Sequence, residues 1–117
     1  MPKKPRSGRQ VPRAVRLCRV LSNNSRRRIL LMLGDGALSV GEIAKRVGLS
    51  NPNTSIHLGM LYDHDLVDVA VDKNHRFYGL TDLVTVRKSR GSDEVTIRAN
   101  DGSSLILCSK NAPKEAG

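Results

Sequence analysis

The apolar positions in the middle of the chain predict two consecutive helices joined by a short turn. Ser39 is placed to cap the first helix, Glu42 completes an S-x-x-E capping box, and Gly48 can end the helix with a positive φ. A second helix, capped by Ser50 or Asn51, follows directly. This order of elements is typical of a helix-turn-helix. The apolar stripe of its first helix consists of Val40, Ile43, Ala44 and Val47.

The second helix has an apolar side and a polar side. Asparagine is suited to bidentate pairing with adenine, serine binds base edges or phosphates, and an isoleucine methyl contacts the thymine methyl. The same pattern also fits a helix that only faces solvent. The predicted inward stripe is Thr54, Leu58, Leu61 and Tyr62, and the predicted outward side is Asn51, Asn53, Ser55, Ile56 and Gly59.

Residues 66–80 predict a β-hairpin behind this helix, with a polar turn at residues 72–75. Lys73 and Arg76, at or beside the turn, are placed to contact phosphates or a minor groove. A hairpin directly after a recognition helix is a wing, so duplex DNA is the leading candidate ligand. The apolar positions expected to pack are Val67, Val69, Val71, Phe77 and Leu80.

From Leu21 to about Thr81 the chain resembles the winged helix-turn-helix of the ArsR/SmtB regulators. The matching segments are L-S-N-N-S-R-R-R-I-L-L-M-L, V-G-E-I-A, L-S-N-P-N-T-S-I-H-L, and L-V followed by F-Y-G-L. The family usually has a glycine where this chain has Asp65, and often a basic residue where it has Ile56. The resemblance implies a dimeric transcriptional regulator, and these departures leave its operator undetermined.

Many relatives carry metal sites, and the sequence lacks the ligands for them. The segment Leu38–Gly41 contains no thiolate, imidazole or carboxylate, and the region after Leu80 contains no histidine. His57 and His64 are seven residues apart, but no third ligand converges on them, and zinc needs three or four. We therefore expect no metal and no other cofactor, and the inducer stays unknown.

Positive charge is concentrated in the N-terminal part of the chain. The first acidic residue is Asp35, and ten of the twenty Lys and Arg residues precede it, in a chain of net charge +9. Such asymmetry favours binding to a polyanion. A solubilising tail is the alternative, and a membrane surface is disfavoured because no large apolar residues are interleaved with the charges. Arg26 and Arg27 are expected to hold the DNA backbone.

The remaining segments are expected to extend a single winged domain. Residues 12–21 predict a helix, and the resemblance makes it a candidate for the dimer contact. Cys18 and Cys108 are expected to be reduced thiols that pack in the core or at an interface. The C-terminal third predicts a strand at Leu83–Lys88 and a hairpin around Asp101-Gly102, which either widens the wing sheet, covers an edge, forms a subunit contact or simply caps the domain. The expected divisions are a disordered basic tail (1–10), the winged domain (11–82), a β extension (83–110) and a flexible tail (111–117).

Together these patterns predict an α+β, mainly α, protein: a winged helix-turn-helix with a C-terminal β extension. It is expected to be cytoplasmic, with no enzymatic activity, no membrane partner, and double-stranded DNA and a second copy of itself as partners. The alternatives are a basic architectural DNA-organising protein with little sequence preference and a winged-helix protein-interaction module. The expected DNA contacts are Asn51, Asn53, Thr54, Ser55, His57, Lys73, Arg76, Arg26 and Arg27.

Overall fold

The computed structural model describes residues 13–98 and 104–110, with the side chains of residues 109 and 110 excepted. Its helices are α1 (Arg13–Leu21), α2 (Asn24–Leu33), α3 (Val40–Val47) and α4 (Asn51–Asp63). Its strands are β1 (Leu38–Ser39), β2 (Val67–Asp72), β3 (His75–Leu80), β4 (Val84–Ser89), β5 (Ser92–Arg98) and β6 (Ser104–Lys110). The predicted α+β fold class is confirmed. The two predicted tails and the Asp101-Gly102 turn lie outside the described residues.

The predicted ends of the two central helices are confirmed. The Ser39 side chain accepts a hydrogen bond from the Glu42 amide at 3.2 Å, and the Glu42 carboxylate accepts one from the Ser39 amide at 3.1 Å. Gly48 ends α3 with φ 75°, a conformation that costs glycine little. The Ser50 side chain then caps α4 by accepting from the Asn53 amide at 3.2 Å. Local chemistry therefore fixes the turn between the helices.

All four helices contribute to one apolar core. Thr54, Leu58 and Leu61 of α4 are fully buried, as the inward stripe predicts, but Tyr62 is 49% exposed. That part of the prediction is wrong because Tyr62 lies at the edge of the stripe. Each fully buried leucine or isoleucine contributes about 1.5–3 kcal/mol relative to exposure. The other fully or nearly fully buried members include Leu17, Leu21, Ile29, Leu30, Ile43 and Leu66.

The first helix buries one side and exposes the other. Its core residues are Leu17, Val20 and Leu21, whereas Val15 is 40% exposed and Cys18 is also exposed. Cys18 follows Leu17 by one position, which turns it about 100° away from the buried side. Of the two expected roles of Cys18, packing in the core is therefore wrong, and packing at an interface stays a prediction.

The wing is an antiparallel sheet in the order β1-β3-β2. The short strand β1, which the sequence pattern does not predict, pairs Leu38 with Tyr78 of β3. Val67 is buried, but Val69 and Val71 are 37% and 68% exposed, so their predicted packing is wrong. Exposure increases along this face from Val67 through Val69 to Val71, so the core under the hairpin does not extend to its tip.

The C-terminal strands form a separate sheet in the order β4-β5-β6 and do not widen the wing. One of its faces carries Val84, Val95 and Ile97, which are buried in the same core as the helices. Cys108 lies on the opposite face and is exposed, so its expected packing in the core is also wrong, and packing at an interface stays a prediction. Within residues 13–98 and 104–110, this sheet acts as an apolar cover on the helices.

Two contacts attach this sheet to the end of α2. A Cβ added at Gly34 would lie 2.9 Å from Cβ and Cγ1 of Val86 in β4, so the glycine permits a close approach of helix and sheet. Next to it, Lys88 Nζ and Asp35 Oδ2 form an ion pair at 2.9 Å. This pair is exposed and contributes at most about 1 kcal/mol. Apolar packing is therefore the main attachment.

Candidate nucleic-acid interface

The exposed side of α4 is made of two polar flanks separated by an apolar ridge. Asn51 and Ser55 are four residues apart and share one flank, and Asn53 and His57 share the other. Ile56 lies between the flanks and is 64% exposed. Asn51, Asn53 and Ser55 are exposed, and His57 is half-buried. The helix thus presents amide and hydroxyl groups on either side of one branched apolar side chain.

A polar cleft of about 610 Å³ separates the first flank from the wing. Asn51 and Ser55 of α4 form one wall and Arg76 of β3 contributes to the other. Three of the residues expected to contact DNA therefore meet at one place. The complete lining is Ser39, Val40, Gly41, Asn51, Ser55, Asn74, His75 and Arg76.

The wing turn carries basic side chains on a tightly defined backbone. Lys73 and Asn74 are its two central residues, with φ 48° and 72°, and strand pairing closes the turn at Asp72 and His75. Positive φ at both positions is the pattern of a type I′ turn, which matches the twist of the flanking strands. Lys73 and Arg76 are exposed. The turn therefore holds two cations near the far wall of the cleft.

Thr54 does not belong to this surface. Its exposed fraction is 0%, because it lies on the inward stripe of α4 with Leu58 and Leu61. Its expected DNA contact is therefore wrong: the side chain cannot reach a groove without unpacking the core. Helical spacing already assigns Thr54 to the inward side, and that assignment is the correct one.

Four arginines from the basic N-terminal region bind helix ends within the protein. Their guanidinium groups donate hydrogen bonds of 2.6–3.5 Å to carbonyls in the last turns or C-caps of neighbouring helices. A cation at this end of a helix satisfies free carbonyls and complements the helix dipole. The pairs are Arg13 with His64, Arg26 with Val20, Arg27 with Leu21, and Arg28 with Arg46 and Val47.

The structure thereby gives Arg26 and Arg27 a role that the sequence does not predict, while their contact with DNA stays a prediction. Both are half-buried, and their guanidinium groups are used in bonds of 2.6 Å to the end of α1. Their charge still adds to the field around the protein, but their first role is to join helices. Sequence reasoning missed this because a carbonyl acceptor in another helix leaves no sequence signal.

His57 is held by one of these arginines. Arg26 Nη1 lies 3.2 Å from His57 Nδ1, which links α2 to the recognition helix. Burial and, to a smaller extent, the charge of Arg26 lower the pKa of His57. The imidazole therefore favours its neutral form, and it belongs to the surface as a hydrogen-bonding group.

The described residues do not assemble a metal site. Among residues 13–98 and 104–110, no three His, Cys, Asp or Glu side chains are close enough to hold a metal ion. Cys18 and Cys108 are free thiols. In the same part of the chain, no helix is long and apolar enough to cross a membrane. The basic residues before Arg13 lie outside the described residues.

Comparison with known proteins gives consistent matches to DNA-binding regulators. A family model described as a helix-turn-helix domain matches residues 21–70. The transcriptional activator HlyU of Vibrio cholerae is 39% identical over 69 residues, covering 59% of this chain and 64% of HlyU. A solved structure of HlyU from the same organism has a TM-score of 0.56 and 39% identity, covering 59% of this chain and 75% of that one.

Two further proteins extend the comparison. The biofilm growth-associated repressor of Xylella fastidiosa is 32% identical over 66 residues, covering 56% of this chain and 58% of the repressor. A homodimeric winged helix-turn-helix DNA-binding domain from Mycobacterium bovis has a TM-score of 0.55 at 24% identity, covering 63% of this chain and 74% of that one, which supports the fold alone. The chain thus matches less than two thirds of the length of these curated relatives.

Proposed function

Because this chain belongs to the ArsR-like family of winged helix-turn-helix regulators, we propose that it binds duplex DNA sequence-specifically and represses transcription. The expected mode of repression is occupancy of a site that RNA polymerase needs. The proposal includes a cytoplasmic location and requires no metal, cofactor, membrane or catalytic activity. HlyU is described as an activator and the Xylella fastidiosa protein as a repressor, so a reporter assay decides the direction of control.

The observation that carries the proposal is the polar side of α4 facing the basic wing across one cleft. B-DNA has a major groove about 12 Å wide, which admits an α-helix. With α4 in that groove, Asn51, Asn53 and Ser55 would contact base edges or phosphates. The wing, with Lys73 and Arg76, would then meet the adjacent backbone or minor groove.

A homodimer is part of the same proposal. The Mycobacterium bovis neighbour is described as homodimeric, and helix-turn-helix dimers bind two half-sites about 34–36 Å apart. Two copies of α4 at that separation would bind an inverted repeat. The exposed side of α1, which includes Val15 and Cys18, is our candidate for the subunit contact.

The test is selection of binding sites from a random duplex pool at near-physiological salt. The full-length protein is compared with Asn53→Ala and with Arg76→Ala. Arg87→Ala is the matched control, because it removes the same charge from an exposed position of β4 in the other sheet. We expect an enriched inverted repeat whose specificity depends on Asn53, weaker binding without Arg76, and little effect of the control.

Two other outcomes identify the alternatives. Binding without any enriched sequence, lost steeply with salt, would indicate an architectural DNA-binding protein and contradict the regulator. No binding to any duplex, in a folded protein, would favour a protein-interaction module.

A further inference from the structure

Arg26 connects three helices at the second flank of α4. Its Nε donates to the Val20 carbonyl of α1 at 2.6 Å, and its Nη1 lies 3.2 Å from His57 Nδ1. The first bond fixes the guanidinium against the end of α1. The second therefore holds the imidazole from a defined direction, on the side of α4 away from the wing cleft.

The chemistry of the two partners decides where the His57 proton lies. A guanidinium has only donors, so His57 Nδ1 must accept the hydrogen bond from Arg26. A neutral imidazole whose Nδ1 accepts carries its hydrogen on Nε2. His64, about two helical turns further along at the C-cap of α4, is the reverse: its Nδ1 lies 2.9 Å from the Met60 carbonyl, which only accepts, so that Nδ1 carries a hydrogen.

We propose that Arg26 is a positioning residue that fixes His57 in the Nε2–H form, and that this N–H donates a hydrogen bond to the DNA. The role rests on the proposed function. His57 shares its flank with the exposed Asn53, one turn earlier, so both side chains would meet the same stretch of duplex. Arg26 thereby affects DNA binding through His57 without contacting the nucleic acid.

The acceptor is either a phosphate oxygen or an acceptor atom on a base edge, such as guanine O6 or N7. The lowered pKa of His57 supports the role, because the neutral ring is the form that has one defined donor and one defined acceptor. Protonation would place a donor on Nδ1 opposite the donors of Arg26 and break the contact.

The first experiment measures the tautomer without DNA, by nitrogen-15 NMR of the histidine side chains. We expect His57 to show protonated Nε2 and His64 protonated Nδ1 in the same spectrum. Arg26→Met should shift His57 towards a mixture of tautomers and raise its pKa. Arg27→Met is the matched control: Arg27 donates to the Leu21 carbonyl at 2.6 Å, so this variant loses the same charge and a bond to the same helix end. A protonated Nδ1 on His57, or no difference between the variants, would overturn the proposal.

The second experiment measures affinity for the selected duplex. Glutamine places its amide near the position of Nε2 and asparagine near that of Nδ1, so His57→Gln should bind more tightly than His57→Asn. The expected difference is about tenfold, the effect of one hydrogen bond. An equal loss of affinity in His57→Gln and His57→Asn would overturn the donor role. A loss of affinity that is the same for all duplex sequences would identify a phosphate as the acceptor. A relaxed preference at one base pair would identify a base as the acceptor.

The two proposals fail in different ways. If wild-type protein binds no duplex while the NMR result holds, the proposed function fails and the donor role fails with it, although the Arg26–His57 pair stands. If the wild type binds DNA and His57 has the wrong tautomer, only the present inference fails.

Discussion

Gly34→Ala is expected to destabilise the protein, although alanine normally stabilises a helical position. Gly34 has φ −61° and ψ −20°, so an alanine there has no backbone strain. In open space, the loss of unfolded-state freedom would make the substitution stabilising by about 0.4–1 kcal/mol. The space is not open, because the new methyl group would lie 2.9 Å from two carbon atoms of Val86.

The contact decides the sign of the effect. Real Cβ atoms essentially never come this close to a neighbour, so helix α2 and strand β4 must separate. Overpacking of this kind costs about 1–3 kcal/mol. Because this cost exceeds the entropic gain, we expect the free energy of unfolding to fall by about 1–2 kcal/mol. For a domain of this size, that lowers the Tm by roughly 4–8 °C per kcal/mol.

The assay is urea and thermal unfolding of Gly34→Ala, Val86→Ala and the double variant. Val86→Ala removes Cγ1, one of the two carbon atoms that the new methyl group would meet, and keeps Cβ, so it relieves part of the clash. The double variant should therefore be more stable than the sum of the single effects by about 1 kcal/mol, as expected for residues in contact. Gly59→Ala in the middle of α4 is the control: its new Cβ meets nothing within 4 Å, so it should gain about 0.5–1 kcal/mol. A stabilising Gly34→Ala, or strictly additive effects, would refute the packing of the C-terminal sheet on α2.

Three further predictions concern the cap, the pH response and the wing. Ser39→Ala removes one half of the capping box and should lower the unfolding free energy by about 1 kcal/mol in urea titrations; no change would show that the cap is dispensable. The pKa of His57 is lowered by burial and a nearby guanidinium. The contribution of His57 to the free energy of unfolding is therefore complete above the pKa that its side chain has in the unfolded state, and it is lost as the pH falls through the lower pKa of the folded state. In His57→Gln this part of the pH dependence of the unfolding free energy should disappear. Lys73→Ala and Arg76→Ala should each reduce the slope of log K against log salt by about 0.9 in DNA-binding titrations, and an unchanged slope would mean that neither contacts a phosphate.

Helix ends and the wing were predictable because their signals are local. Ser39 with Glu42, and the glycine at position 48, act within one or two helical turns, so the sequence contains both partners of each interaction. The wing followed from alternation around a polar turn. Its packing did not, because exposure of Val71 depends on how far the hairpin extends beyond the helices.

The candidate surface was only partly predictable for a similar reason. Asn51, Ser55 and Arg76 were identified from chemistry and helical spacing, and the structure brings them to one cleft. Charge alone associates Arg26 and Arg27 with DNA, and their bonds within the protein are not predictable because the acceptor carbonyls lie at the end of another helix. The placement of the C-terminal strands in a separate sheet is also hard to predict from the sequence, because it depends on long-range packing against α2.

NMR mapping of backbone amides during titration with the selected duplex shows directly whether the exposed side of α4 and the wing bind DNA. We expect the largest shifts at residues 50–57, at the start of α4, and at residues 72–76 of the wing, with β4 and β5 little changed. Shifts concentrated in the C-terminal sheet, or none on α4 and the wing, would contradict the assignment of this surface to DNA.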